Sequence, residues 1–298
     1  MPLLKTRFHK PSLADSFILR QQLMDRLDHG QKKRLTLVVG GAGYGKSILV
    51  SQWLNERQHT YCWISLEEDC NDLQVFLSYL VVGVQQTYPD SMPRTAQLML
   101  SSILPTVLVV AETLINDLSD IKGRLSIVVD DLHKINNQKI FELLNQLIQL
   151  GPEHIRLVLI SRVDPPLKKA KFRAYNQLCE IRMSDLRLTE TEIIQLAKNS
   201  DYTSITSETA RIIEEKTEGW ILGVNLISNL NFNWYAIDPS EFRDGDSMKS
   251  GESAHVNLIW SPYKKVNVGI EYMILKRINT NDTNGTGQRL QMMIKYII

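Results

Sequence analysis

The stretch Leu35-Thr36-Leu37-Val38-Val39-Gly40-Gly41-Ala42-Gly43-Tyr44-Gly45-Lys46-Ser47 constrains the fold more than any other part of the chain. An apolar run ends at Gly40, and Gly40, Gly45, Lys46 and Ser47 complete the pattern G-x-x-x-x-G-K-[ST]. Glycines allow successive backbone N–H groups to curl around phosphate oxygens, and the helix that follows turns its positive end toward them. The backbone of Gly40, Gly41, Ala42, Gly43, Tyr44 and Gly45 is therefore expected to cradle phosphate. Lys46 is expected to reach the β- and γ-phosphates, and the Ser47 hydroxyl to ligate Mg2+. The pattern carries this meaning only between a strand and a helix. Both are present, because Ile48 to Leu54 follows with helical spacing.

A second stretch, Leu125-Ser126-Ile127-Val128-Val129-Asp130-Asp131, reads as a buried β-branched strand ending in two carboxylates. Alone it is a weak signal. Downstream of a phosphate loop, with the strand Tyr61 to Ser65 between them, it supplies the other half of a nucleotide site. Asp130 is expected to hold the Mg2+ shell and Asp131 to orient or activate the attacking water. Arg156 to Ser161 is a further buried strand, and Arg162 at its end is placed to sense the γ-phosphate. The plainer alternative is a surface arginine in a loop before Pro165-Pro166. A last strand is expected near Cys179 to Met183. Helices separate these strands, which implies a parallel sheet with helices on both faces.

The flanking segments are less specific. Residues 11 to 30 read as a lead-in and one amphipathic helix, with Leu19, Leu23, Met24 and Leu27 on one face and Gly30 as its stop. Glu67, Glu68, Asp69 and Asp72 could be taken for a metal site, but solvated helix-start carboxylates explain them better. A helix is expected from Leu73 to Gln86, and another after Pro105 to about Leu118. Further helices are expected over Glu190 to Asn199, Ser207 to Lys216 and Trp220 to Leu230, with Thr189 as N-cap of the first.

From residue 231 the patterning changes. Residues 231–253 look like an irregular linker, after which Ala254 to Trp260, Val266 to Lys276 and Gln288 to Ile298 alternate with period two. Ser261 to Lys264 is expected as a tight turn and Asn279 to Gly287 as a polar loop. Short turn, long loop and alternating strands fit a membrane β-barrel or a soluble sandwich. Three strands cannot close, and their open edges invite aggregation. The division is thus 1–230 for nucleotide binding, 231–253 as linker and 254–298 as antiparallel β.

Composition excludes little beyond extremes. The 298 residues carry a net charge of +1, which gives no electrostatic case for nucleic acid or anionic membrane. Three cysteines form no C-x-x-C pair and read as reduced, buried thiols of a cytoplasmic protein. The first ten residues lack the apolar core of a secretory signal.

Leu4-Lys5-Thr6-Arg7 with Arg20, Gly43 to Ser47 with Gln52-Trp53, and Trp63-Ile64-Ser65-Leu66 occur together in one order. Asp130-Asp131-Leu132-His133, Ser161 to Leu167, Asp185 to Thr189, and Thr217-Glu218-Gly219-Trp220 continue that order. In them the first 230 residues resemble the nucleotide-binding domain of maltose-regulator-like, LuxR-type ATP-dependent transcriptional activators. These belong to the STAND branch of P-loop NTPases, with an additional-strand, AAA-like α/β sheet.

The resemblance implies a slow ATP/ADP switch with Mg2+, in which the ATP state self-associates. It implies Lys46, Ser47 and Arg20 at the nucleotide, Asp130 and Asp131 as the hydrolytic acidic pair, and Arg162 as sensor. The family's winged-helix arm, repeat-rich sensor and helix-turn-helix are not expected after Gly219-Trp220, so no direct DNA binding is expected of this chain. The tail, through His255 to Pro262, Gly269 to Tyr272 and Lys295-Tyr296, resembles the last strands of a DcaP-like outer-membrane porin. Ile298 stands where that family ends in an aromatic residue, and no membrane insertion is expected. A free-standing phosphotransferase with its substrate over Asp131 and Arg162 is the alternative. A porin fragment defined by the tail is another.

Overall fold

The computed structural model describes residues 3–13, 18–101, 103–199, 205–228, 230–237, 248–263, 266–279 and 284–296, with side chains chiefly as far as Val224. The chain divides into two compact units, meeting in sequence between Arg187 and Leu188.

The first unit is built on five parallel strands: β1 (Leu35–Val39), β2 (Tyr61–Ser65), β3 (Leu125–Asp130), β4 (Ile155–Ser161) and β5 (Leu178–Ile181). Their order across the sheet is β2-β3-β4-β1-β5. β4 thus lies between the phosphate-loop strand and the strand that ends in the acidic pair, with Val38 opposite Ile160 and Val129 opposite Leu159. Parallel neighbours need a crossover, and helices supply it. While α1 (Gln21–Gly30) precedes β1, the crossovers carry α2 (Lys46–Glu56), α3 (Leu73–Thr87), α4 (Pro93–Leu98), α5 (Val107–Ser119), α6 (Gln138–Leu150) and α7 (Lys169–Ala174), and α8 (Met183–Leu186) follows β5.

Both faces of the sheet are covered, which explains why the strands read as unbroken apolar runs. Leu35, Leu37, Ile64, Ile127, Val129, Leu157 and Leu159 pack on one face, with Phe76, Leu80, Leu114, Leu144 and Ile148 from α3, α5 and α6. Val38, Trp63, Val128, Val158 and Ile160 point the other way, toward Leu23, Met24 and Leu27 of α1 and Leu49, Val50 and Trp53 of α2. Each such fully buried side chain contributes about 2 kcal/mol. The three cysteines are free and buried, and burial pushes the Cys62 thiol far up.

Several expected boundaries shift. The amphipathic helix begins at Gln21, so Leu19 precedes it and lies exposed. Met183 begins α8 rather than ending β5. α4 was not expected; Met92, in the left-handed region at φ 67°, turns the chain into Pro93.

The second unit begins with α9 (Glu190–Asn199), α10 (Ser207–Thr217) and α11 (Ile221–Ser228). Thr189 and Glu192 form a reciprocal cap at the start of α9: Glu192 N–H donates to Thr189 Oγ1 and Thr189 N–H to Glu192 Oε2. An antiparallel sheet follows in the order β6 (Leu230–Ile237), β7 (Met248–Tyr263), β8 (Val266–Asn279), β9 (Asn284–Tyr296). Residues 231–253, expected as irregular, therefore contain all of β6 but its first residue, and the start of β7. β7 also runs through Ser261, Pro262 and Tyr263, which had been expected in a turn, with a register shift between Trp260 and Tyr263. The polar loop expected from Asn279 shortens, because β9 begins at Asn284. Lys264, Ile297 and Ile298 lie outside the described residues.

Candidate functional site

The site forms where β1 and β3 end. β1 keeps its ladder one step past Val39, Gly40 N–H donating to Ser161 O at 3.3 Å. A Cβ on Gly40 would lie 2.9 Å from Leu186 Cδ1, so α8 backs the loop closely and the Leu186 side chain would have to shift to admit one. Gly43 and Gly45 take φ values of 76° and 74°, in the left-handed region. There a side chain costs on the order of 1 kcal/mol. These turns bring the chain into α2 at Lys46, leaving the helix's first N–H groups without intrahelical partners at the loop. Tyr44 folds its ring back to 3.4 Å from the Cβ position of Gly41, while Ala42 is exposed.

Lys46 is 9% exposed, and its Nζ donates to the Gly41 carbonyl at 2.7 Å. The ammonium is thereby folded onto the mouth of its own loop. Burial pushes its pKa down, as does the Arg162 charge, against Asp130 and Asp131. Asp130 is 5% exposed at the end of β3, and its Oδ1 accepts from Ser47 Oγ at 3.0 Å and from the Asp131 N–H at 2.9 Å. Burial raises its pKa to about 6, with Asp131 adding repulsion and the Ser47 hydroxyl and Lys46 opposing. A hydroxyl and a carboxylate held together at the foot of a phosphate loop are the oxygen donors that Mg2+ takes, and the residues fit that ion.

Asp131 sits at φ 57°, a left-handed conformation unusual for a residue with a side chain. Its carboxylate is 38% exposed and 3.8 Å from His133 Nδ1, too long for a hydrogen bond. His133 Nδ1 is the one buried side-chain polar atom without a hydrogen-bond partner among the described residues. Burial depresses this imidazole's pKa, Asp131 raises it, and Arg162, Lys134 and Lys46 lower it further. Arg162 is exposed after β4 and close enough to act on both Lys46 and His133.

The structure thus gathers Lys46, Ser47, Asp130, Asp131 and Arg162 at one end of the sheet and adds His133. Sequence reading gave His133 no role; its only signal was its place in the Asp130-Asp131-Leu132-His133 stretch. Arg20 is placed differently. Its buried guanidinium donates to the carbonyls of Leu186 at 2.8 Å, Asp185 at 3.2 Å and Arg187 at 2.7 Å. It therefore holds the segment whose Leu186 backs Gly40.

The acidic group after β2 is accounted for in helix starts and ion pairs. Asp72 caps α3 by accepting from Gln74 and Val75 N–H, Asp69 pairs with Arg7 at 2.8 Å, and Glu67 pairs with Lys134 at 2.6 Å.

No family model matches the chain. Over 226 residues, 76% of this chain, it is 27% identical to the HTH-type transcriptional regulator MalT of Yersinia pestis (strain Pestoides F) and covers 25% of that protein. It is 30% identical over the same shares to MalT of Serratia proteamaculans (strain 568). The chain is homologous to these regulators and spans about a quarter of the length of the curated relatives it matches. Among solved structures, Cdc6p from Pyrobaculum aerophilum aligns with a TM-score of 0.48 at 14% identity, over 76% of this chain and 65% of that one. A RuvB variant from Thermotoga maritima aligns at 0.41 and 16% identity, over 72% and 62%. Likenesses this loose add nothing to the fold already read from the strand order.

Proposed function

We propose that this chain contains the ATP-binding switch module of a MalT-type transcriptional regulator, binding ATP or ADP with Mg2+ and hydrolysing ATP slowly. The observation that carries the reading is the Ser47 Oγ to Asp130 Oδ1 hydrogen bond of 3.0 Å, which joins the phosphate loop to the acidic strand end. Homology to MalT supports it independently.

In this reading the N–H groups of residues 40–45 and of the first turn of α2 bind phosphate oxygens. Lys46 leaves the Gly41 carbonyl to meet the β- and γ-phosphates. Ser47 and Asp130 hold Mg2+, which supplies charge neutralisation at the phosphates. Asp131 orients water, aided by the neighbouring His133, and Arg162 senses the terminal phosphate. Arg20 acts on the nucleotide as a positioning residue, through the segment behind Gly40.

Self-association in the ATP state belongs to the same proposal, as does the absence of sequence-specific DNA binding by this chain, whose net charge is near zero. A cytoplasmic location is likewise proposed. No helix among the described residues is long and apolar enough to cross a membrane. Fusion of the module to a porin-like tail rests on strand alternation and on the resemblance carried by His255 to Pro262, Gly269 to Tyr272 and Lys295-Tyr296, and sequencing the gene across codons 225 to 240 from independent isolates tests it.

Equilibrium titration with a fluorescent ATP analogue, with and without Mg2+, tests the main reading. Lys46→Ala should weaken binding by tenfold or more, about 1.4 kcal/mol, as expected for loss of a charged hydrogen bond. Equal binding by wild type and variant contradicts it.

A further inference from the structure

A cavity of about 280 Å³ opens at the opposite end of the sheet from the phosphate loop. It is bounded by the entries to β2, β3 and β4 and lined by His59, Tyr88, Gly123, Arg124, His154 and Arg156, among others. β3 runs from Leu125 in this cavity to Asp130 in the nucleotide site, a span of roughly 17 Å at about 3.3 Å per residue. The two sites therefore share a strand without sharing a residue.

The cavity's charge is one-sided. Two guanidiniums and two imidazoles line it, and none of its lining residues is acidic. The described residues give neither Arg124 nor Arg156 a hydrogen bond or ion pair. Arg156 is half-buried, and burial together with repulsion from Arg124 lowers its pKa. His59 is also depressed, by burial first and then by Arg156. The carboxylate that acts on His59, Asp28, is already held by Arg57 at 2.8 Å and Trp53 Nε1 at 2.9 Å. A half-buried cation beside a like-charged neighbour gains from an anion placed between the two.

Gly123 lets the Tyr88 hydroxyl pack closely into the wall of the cavity. It adopts φ 146°, and a Cβ there would lie 2.7 Å from the Tyr88 hydroxyl. Each imidazole has a hydrogen-bonding partner. His154 Nε2 lies 3.1 Å from the Leu118 carbonyl, which puts its proton on that nitrogen, and His59 Nε2 lies 2.7 Å from Gln31 Nε2.

We propose that this cavity is a binding site for a small phosphomonoester, its phosphate between Arg124 and Arg156 and its organic part against the half-buried Tyr88. Planar guanidinium forks suit the oxygens of a phosphate dianion. At about 30 Å³ per water the cavity has room for on the order of nine waters, which admits a phosphate with a few carbons attached. Its concavity suits a small molecule better than a nucleic-acid backbone. The site does not rest on the nucleotide reading.

Calorimetric titration of the full chain with glycerol 3-phosphate, against sodium chloride of matched ionic strength, tests it. Wild type should bind saturably, and Lys46→Ala should bind with unchanged affinity, so the phosphate loop is not the receptor. Arg156→Gln and Arg124→Gln should each weaken binding tenfold or more, the loss expected for one charged hydrogen-bonding partner. Arg124 is exposed, so its variant keeps the test valid if Arg156→Gln folds poorly. Absence of saturable binding to wild type overturns the proposal. So does binding that Lys46→Ala abolishes, or that Arg124→Gln leaves intact.

Discussion

Replacing Asp130 by asparagine should stabilise the nucleotide-free protein at neutral pH while removing its Mg2+-dependent affinity for nucleotide. Asp130 is 5% exposed, and its pKa rises from 3.8 to about 6, chiefly through burial. A folded-state value above the unfolded one means that the native protein holds its proton more tightly. Stability contributed by the protonated acid is therefore present at low pH and lost as pH rises from about 3.8 through about 6. The distance between those values, at 1.36 kcal/mol per pH unit, is about 3 kcal/mol at pH 7.5. By the same relation only about 1 kcal/mol has been lost at pH 4.5. Asparagine keeps an oxygen for Ser47 Oγ and the Asp131 N–H but brings an amide that needs an acceptor, a cost of about 1 kcal/mol or more. The net gain expected from urea unfolding is about 1–2 kcal/mol at pH 7.5. More decisive is its pH dependence: the gap between variant and wild type should shrink by about 2 kcal/mol between pH 7.5 and pH 4.5, since other groups titrate alike in both. A gap that does not change with pH, or a variant less stable at both values, refutes the assignment of a buried carboxylate with a raised pKa.

Two further outcomes follow from the same physics. Asp72→Ala removes the cap of α3 and should cost about 1 kcal/mol in urea unfolding, with nucleotide affinity unchanged because the residue lies outside the site. Cys62, Cys70 and Cys179 are buried with raised thiol pKa values; iodoacetamide at pH 8 should leave all three unmodified by intact-mass measurement until urea unfolds the chain.

Much of the first unit is legible in the sequence because its strands are buried on both faces. Leu35 to Val39 and Leu125 to Asp130 contain few residues that would tolerate another environment, so element type and bounds follow from composition alone. The pairing of Ser47 with Asp130 was legible for a different reason. The phosphate-loop pattern and a strand ending in carboxylates each require strand C-termini, and parallel strands bring those ends together. Arg20 was not legible in this way. Its partners, the carbonyls of 185–187, are backbone atoms far along the chain, and no side-chain pattern announces them. β6 was missed although Leu230, Phe232 and Trp234 alternate with Asn231 and Asn233, because Leu230 reads as the end of the preceding helix and the short alternation left after it runs into a segment rich in Asp, Ser and Gly. The basic cavity was invisible because Arg124 and Arg156 stand on different strand entries and look, singly, like solvated charges.

The central claim is that Ser47 and Asp130 jointly hold the metal of a bound nucleotide triphosphate. A crystal of the full chain grown with a non-hydrolysable ATP analogue and Mn2+ tests it directly. The account predicts an anomalous peak bridging Ser47 Oγ, the Asp130 carboxylate and phosphate oxygens, with Lys46 Nζ moved from the Gly41 carbonyl to the phosphates. A triphosphate bound elsewhere, or a metal that touches neither Ser47 nor Asp130, contradicts it.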